Sequence, residues 1–151
     1  GHKVIGKNNF DYGFSFGGPY LPSENRVLGE FCNKNKLEFI LPYVTEDFNT
    51  QHNQFLKKYY ININEYNEPF IVDGIGYKKN TTSTVESSKL NLVYDLLRDG
   101  HKVYIMESKE FIKESKLVKE LHNDFGDNVK FYARGTSPKG IYISFWYFFS
   151  N

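Results

Sequence analysis

The sequence predicts an α/β protein, a helical N-terminal arm followed by a Rossmann-like parallel sheet. Three observations carry this. The texture changes near residue 67, and beyond it short apolar runs alternate with 3.6-periodic segments, the pattern of parallel crossover units with right-handed connections. The first third carries helical periodicity after one glycine-rich loop. With 151 residues, 40% hydrophobic content and Lys+Arg 19 against Asp+Glu 18, the chain is long and apolar enough for a packed core and too balanced in charge for disorder. The expected division is 3–66 for the loop and helices and 67–151 for the sheet.

Residues 9–22 mix three glycines and two prolines with aromatics, which excludes a helix and favours a folded loop. A helix is expected from Ser23, with Ser23 as N-cap, Glu24 in the first turn and a stripe of Val27, Leu28, Phe31 and Cys32. A second is expected over Leu41 to Tyr60, where Val44, Phe48, Phe55 and Tyr59 recur with His52 on the same face. Pro69 to Gly76 reads as a buried strand ending in glycines. Ser83 and Glu86 have capping-box spacing for a helix with Leu92, Val93, Leu96 and Leu97 inward and Gly100 as its stop. His101 to Met106 reads as a strand, and 109–125 as a helix with Phe111, Leu117, Val118, Leu121 and Phe125 inward. Val129 to Tyr132 and Ile141 to Phe149 read as the last two strands, with Trp146 in the core.

A formal charge of +1 supplies no field to steer the chain onto nucleic acid or anionic lipid. No apolar run approaches the roughly 20 residues of a membrane span. Cys32 is the one cysteine, so no internal disulfide or cysteine metal cluster can form. The chain therefore reads as cytoplasmic. Its start at Gly1-His2 without methionine reads as an expression scar or a cut from something longer.

Two segments could carry chemistry. The turn from Gly74 to Ser83 offers amides, lysines and hydroxyls beyond a strand end, where ligands of parallel sheets bind. It lacks the third glycine of a dinucleotide fingerprint, and Glu107, at the end of the second strand, mimics the ribose-binding acid only from a distance. A packed structural turn and a phosphate cradle both fit. The loop Gly13 to Pro22 lets backbone approach a ligand, with Tyr12, Phe14, Phe16 and Tyr20 as walls, or else packs on its own core. Cys32 sits on an apolar helix face as a small hydrophobe. His52, His101 and His122 are too scattered for a metal site.

The order of these pieces resembles the carboxyl-terminal half of the UDP-glucose and GDP-mannose dehydrogenase family. Ile5-Gly6-Lys7 and Ser15-Phe-Gly-Gly-Pro-Tyr-Leu-Pro22 resemble its R-I-G segment and G-F-G-G-x-C-x-P-K-D motif. Asp47-Phe-Asn49-Thr-Gln51 resembles the N-x-x-Q of its long dimerisation helix. Gly74-Ile-Gly-Tyr-Lys78 through Ser87 follows G-L-A-F-K-x-x-T-D-D-x-R-x-S, Val103 to Glu107 follows V-x-x-Y-D, and Ser144-Phe-Trp146 to Phe149 is similar to T-E-W-x-x-F. The resemblance runs collinearly over residues 4–149.

The resemblance implies NAD-dependent oxidation of a UDP-sugar alcohol to a carboxylate, through a thiohemiacetal on the motif cysteine. That position is Tyr20 here, and a phenol with a pKa of about 10 does not replace a thiolate. The motif lysine is Ser23, its aspartate Glu24, the NAD-contacting arginine Val85 and the arginine before I-G Val4. The binding scaffold matches better: Phe16, Gly17 and Gly18 in the loop, with Tyr77 and Lys78 near the UDP-sugar. The family's NAD domain has no counterpart in this sequence, so no cofactor is expected in this chain, while NAD is expected for a full-length member. The expectation is a UDP-sugar-binding fragment with a C-terminal UDP-binding domain, homodimeric through 41–60 and without catalytic residues of its own. Two alternatives stay open: a pseudoenzyme dimerisation module without ligand, and part of an oxidoreductase of altered chemistry.

Overall fold

The computed structural model describes residues 13–78 and 81–143. Two helices form the arm, α1 (Leu21–Lys34) and α2 (Leu41–Ile63). There follow β1 (Phe70–Asp73), α3 (Ser88–Arg98), β2 (Val103–Glu107), α4 (Lys109–Glu114), α5 (Lys116–Phe125), β3 (Val129–Ala133) and β4 (Ile141–Ile143). The strands form one parallel sheet in the order β3-β2-β1-β4. The α/β class and the parallel sheet are as the sequence predicts.

The β1 run is nearly all apolar because parallel strands are covered by helices, not alternately wetted. Register places Phe70 beside Val103 and Val103 beside Val129, so all three share a face with Val72 and Ile105. That face is buried under Leu56 and Tyr60 of α2, Leu92, Val93 and Leu96 of α3, and Leu121 of α5. Residues 134–140 connect β3 to β4 without a helix and carry the chain past β2 and β1 to the other side of the sheet.

Four expectations are corrected. Helix α1 starts at Leu21, because Pro22 in the first turn has a preset φ and needs no N–H partner there. Ser23 is not its cap; its Oγ donates back to the carbonyls of Pro19 and Tyr20, each at 2.8 Å. Helix α3 starts at Ser88, capped by Ser87, whose Oγ accepts from the Leu90 amide at 3.3 Å. Glu86 cannot close a capping box with Ser83, since its φ of 46° lies in the left-handed region. The segment 109–125 is two helices, broken where Ser115 is extended at ψ 128°, with Ser108 capping the first through the Phe111 amide at 3.1 Å.

The arm corrects a fourth. Cys32 is buried, but its expected stripe partners Val27, Leu28 and Phe31 are exposed, Val27 at 65%. Helix α1 meets α2 through its smallest residue instead. Tyr43 Oη donates to the Gly29 carbonyl at 3.0 Å, and a Cβ on Gly29 would lie 3.4 Å from Pro42. On α2, Val44, Phe48 and Phe55 are likewise exposed, while Leu56 and Tyr60 reach the core. The expectations for Val4 to Gly6, Tyr12 and Ser144 to Phe149 lie outside the described residues.

Candidate functional site

The loop preceding α1 is held by polar side chains at both edges. Asn49 of α2 makes a two-way clamp on one residue: its Oδ1 accepts from the Phe16 amide at 2.8 Å and its Nδ2 donates to the Phe16 carbonyl at 2.9 Å. Ser15 Oγ donates to the Asn49 carbonyl at 2.7 Å, and Ser88 Oγ donates to the Ser15 carbonyl at 2.7 Å. The loop is thereby fixed to α2 and to the start of α3 at once. His52 reaches the Gly13 carbonyl at 2.9 Å.

The glycines are required by what lies against them. A Cβ on Gly17 would collide with the backbone carbonyl of Glu86. Gly18, at φ 93°, donates its amide to the Val85 carbonyl at 3.1 Å, and a Cβ there would lie 2.5 Å from Cδ2 of Tyr77. Lys78 is exposed, its Nζ 5.4 Å from the centroid of the Tyr77 ring. The five residues singled out in the sequence, Phe16, Gly17, Gly18, Tyr77 and Lys78, thus meet in one neighbourhood across some sixty residues of chain.

Arg26 of α1 braces this junction. Its Nη1 lies 3.2 Å from Glu46 and 3.1 Å from Glu86, and its Nη2 makes a closer contact with Glu86. The Glu86 hydrogen bond above all, with the charges of Glu86 and Glu46 and against some desolvation, raises the guanidinium above its ordinary range. Tyr20 precedes α1 with 71% of its surface exposed, so it rims the loop and does not plug it. Glu24 and Val85 are exposed as well.

A second cluster closes the carboxyl ends of β1, β2 and β3. Glu107 is only 2% exposed, and its Oε1 accepts from the Ile75 amide at 2.9 Å while Oε2 accepts from Ser108 at 3.3 Å. Arg134 lies between Glu107 and Asp73, 3.4 Å from each. Gly74, at φ 71°, makes room for that guanidinium, since a Cβ would lie 2.6 Å from Nη2. A cleft of about 380 Å³ opens beside Thr81, Thr82 and Ser108. With both oxygens of Glu107 engaged by backbone and Arg134, this acid does not fit the role of a ribose ligand for a dinucleotide.

The histidines do not converge. His101 packs edge-on to Phe70 at 5.4 Å and His122 lies 5.6 Å from Phe131, and no metal-binding group of three ligands occurs among the described residues. No helix of the described residues is long and apolar enough to cross a membrane. Sequence reasoning missed the Ser88 link and the Arg26 brace. A signal for Asn49 existed in its residue type, since asparagine is a poor helix former in mid-helix unless its amide is used.

No protein-family model matches this sequence, and no curated protein matches it. Solved structures do. A GDP-mannose dehydrogenase from Pseudomonas aeruginosa, solved as a ternary complex, superposes with a TM-score of 0.62 at 16% identity, over 87% of this chain and 40% of that one. A UDP-glucose dehydrogenase from the archaeon Pyrobaculum islandicum superposes with a TM-score of 0.61 at 22% identity, over 87% of this chain and 29% of that one. The chain therefore shares the fold of part of these dehydrogenases and spans less than half of either.

Proposed function

We propose that this chain is the helical arm and nucleotide-binding part of a diverged UDP-sugar dehydrogenase homologue, and that it binds a UDP-sugar without oxidising it alone. Phe16, Gly17 and Gly18 would line the ligand, with Phe16 and the Gly18 amide already held by Asn49 and Val85, and with the Tyr77 ring and the Lys78 ammonium beside the diphosphate. The observation that supports this most is the seating of the loop. Gly17 and Gly18 tolerate no side chain, and the Asn49 clamp fixes Phe16, so a backbone surface is preorganised next to a lysine. Tyr20, Ser23 and Val85 supply neither the thiolate nor the positive charges that the resemblance associates with the oxidation, and Glu24 keeps the motif carboxylate one methylene longer. NAD would belong to a full-length relative.

A thermal-shift series with UDP, UDP-glucose, UDP-glucuronate and NAD tests the reading. A uridine ligand at a hundredfold its Kd adds about 2.7 kcal/mol, or roughly 5–10 °C for a chain of this size. Equal silence to every uridine ligand would remove it.

A second reading rests on a separate observation, the outward apolar face of the arm. Phe48 is 70% exposed and is accompanied by Val44 and Phe55 on α2 and by Val27 and Phe31 on α1. Contiguous exposed apolar surface marks an interaction site. In this reading the chain is a dimerisation module, and a dimer in sedimentation that ignores uridine ligands favours it over ligand binding. A monomer counts against the homodimer in both readings.

A further inference from the structure

Two arginines each face a pair of carboxylates, and they are used differently. Arg26 hydrogen-bonds both Glu46 and Glu86. Arg134, in the cleft at the carboxyl ends of β1, β2 and β3, turns Nε to Asp73 and Nη2 to Glu107, each 3.4 Å away, and neither approach is aligned as a hydrogen bond. Among the described residues its N–H donors are therefore unspent. The guanidinium is nonetheless fixed in place: Glu107 is buried and held by the Ile75 and Ser108 amides, and Gly74 leaves open the space beside Nη2. A guanidinium carries five donors in a planar fork that matches oxyanions.

The hydroxyls around it have the same polarity. Thr81 Oγ1 accepts from the Ser83 amide at 3.2 Å, and Ser108 Oγ accepts from the Phe111 amide at 3.1 Å. Each spends acceptor capacity on backbone, and neither gives its proton to an acceptor among the described residues. Thr82 is exposed and adds a third hydroxyl to the wall. The buried acceptors are meanwhile taken, since each Glu107 oxygen receives a backbone amide. What remains is Asp73, whose side chain is 68% exposed. An ion pair so exposed is worth at most about a factor of five, so Asp73 holds Arg134 weakly. Lys89 donates to the Asp73 carbonyl at 3.1 Å and brings a second positive charge to offset the two carboxylates.

We propose that this cleft binds the phosphate group of a small phosphorylated molecule, which takes Arg134 from Asp73 and accepts from Thr81, Thr82 and Ser108. The donors come from the segments after β1, β2 and β3, so they converge from more directions than the two oxygens of a carboxylate answer. The three terminal oxygens of a phosphate answer them, and charge-assisted bonds of that kind are the strong ones. The volume of about 380 Å³ falls within the ~300–1,000 Å³ of small-molecule sites and leaves room for a compact body on the phosphate. The residues are separate from Phe16, Gly17, Gly18, Tyr77 and Lys78, and the inference does not rest on the UDP-sugar reading.

Assigned ¹H–¹⁵N spectra of the full chain, titrated with inorganic phosphate at constant ionic strength, test the proposal. The amides of Thr82, Ser108 and Arg134 and the Arg134 Nε–H are expected to shift saturably. Asp73→Asn removes the competing carboxylate and should tighten binding about three- to fivefold, a gain that a merely structural ion pair would not give. Arg134→Gln should weaken binding about tenfold or more. Should that variant fail to fold, Thr82→Val at the exposed rim should weaken it about threefold. Shifts that drift linearly across the whole surface, equal saturation by acetate, or affinity that is not raised by Asp73→Asn overturn the proposal. So does a response that survives both Arg134→Gln and Thr82→Val, or phosphate that moves Gly17 and Gly18 in place of Arg134. UDP, titrated in parallel, should move Gly17, Gly18 and Lys78 in the parent chain and in Arg134→Gln alike. Silence there with the phosphate response intact would overturn the loop reading alone.

Discussion

Gly17→Ala tests whether the loop seat is set by steric fit. Gly17 has no positive φ, so an added methyl costs no backbone strain of its own and its whole effect comes from contact. That methyl would meet the Glu86 carbonyl oxygen well inside van der Waals contact, the Glu86 carbonyl carbon at 3.2 Å and the Ser88 amide nitrogen at 3.6 Å. All three are backbone, so no flexible side chain can swing away, and either the loop lifts or the turn before α3 moves. Lifting the loop strains the 3.1 Å bond from Gly18 to Val85 and the Asn49 clamp. Overpacking of this kind costs about 1–3 kcal/mol. For a chain of this size each kcal/mol is about 2–4 °C, so Tm should fall by roughly 2–12 °C in a thermal melt followed by circular dichroism. Gly13→Ala is the matched control. It lies in the same loop with nothing within 4 Å of its Cβ and no positive φ, and should be neutral or stabilising by up to about 1 kcal/mol. If the two variants melt together, the steric reasoning about the loop is wrong.

Asn49→Ala removes both bonds to Phe16 and should lower stability by about 1–3 kcal/mol, read from the urea midpoint at unchanged slope. Glu107→Gln keeps the shape but offers one acceptor to two backbone amides, and should cost about 1–3 kcal/mol in the same assay. Burial first, then the charges of Glu120 and Asp124, raises Tyr94 above its ordinary 10.0 against the lowering effect of Arg98. With the folded value raised, the protonated phenol's contribution is complete below pH 10 and is lost as pH climbs through the folded pKa. Tyr94→Phe should therefore flatten the alkaline limb of a stability profile, and an unchanged limb would contradict the assignment. Tyr20→Ala should leave Tm nearly unmoved, within the ~0.5 kcal/mol typical of exposed positions. A gain in UDP-sugar affinity in that variant would show that the phenol crowds the sugar.

The strands were legible because Phe70 to Val72 and Val103 to Ile105 are continuous apolar runs, the mark of strands covered by helices. Helix α3 was legible on its inward face for the same reason, but its start was not. Ser83 and Glu86 have capping spacing, yet Val85 and Glu86 serve the loop, and the cap falls to Ser87. Val85 accepts from Gly18, and Glu86 bends left-handed against Gly17 and salt-bridges Arg26. Tertiary demand there overrides a local signal. The break at Ser115 has no glycine or proline to announce it. On the arm, periodicity revealed that Val27, Phe31 and Phe48 share faces with apolar neighbours, but amphipathicity states only that a face is apolar, never which surface covers it. In the loop the glycines announced a close approach, while the approaching groups, the Glu86 backbone and the Tyr77 ring, were set by the fold.

The same geometry separates what backbone does in the loop from what side chains do. At Tyr20 and Val85 the side chains point outward, while their backbones do the seating: the Tyr20 carbonyl accepts from Glu24 at 2.8 Å and the Val85 carbonyl from Gly18 at 3.1 Å. A side chain that contributes only its backbone can change identity without moving the loop. Gly17 and Gly18 have no such freedom, because a Cβ on Gly17 meets the Glu86 backbone and Gly18 sits at φ 93° against the Tyr77 ring. Divergence acting on such a loop would strip reactive side chains first and keep the backbone surface longest. On the proposed descent, a phenol in the resembled thiol position beside an intact glycine seat would follow from that asymmetry. The asymmetry also sets the decisive pairing of results. A large Gly17→Ala penalty accompanied by a uridine response assigns the seat to a ligand, whereas the same penalty with no response assigns it to joining the arm to the sheet.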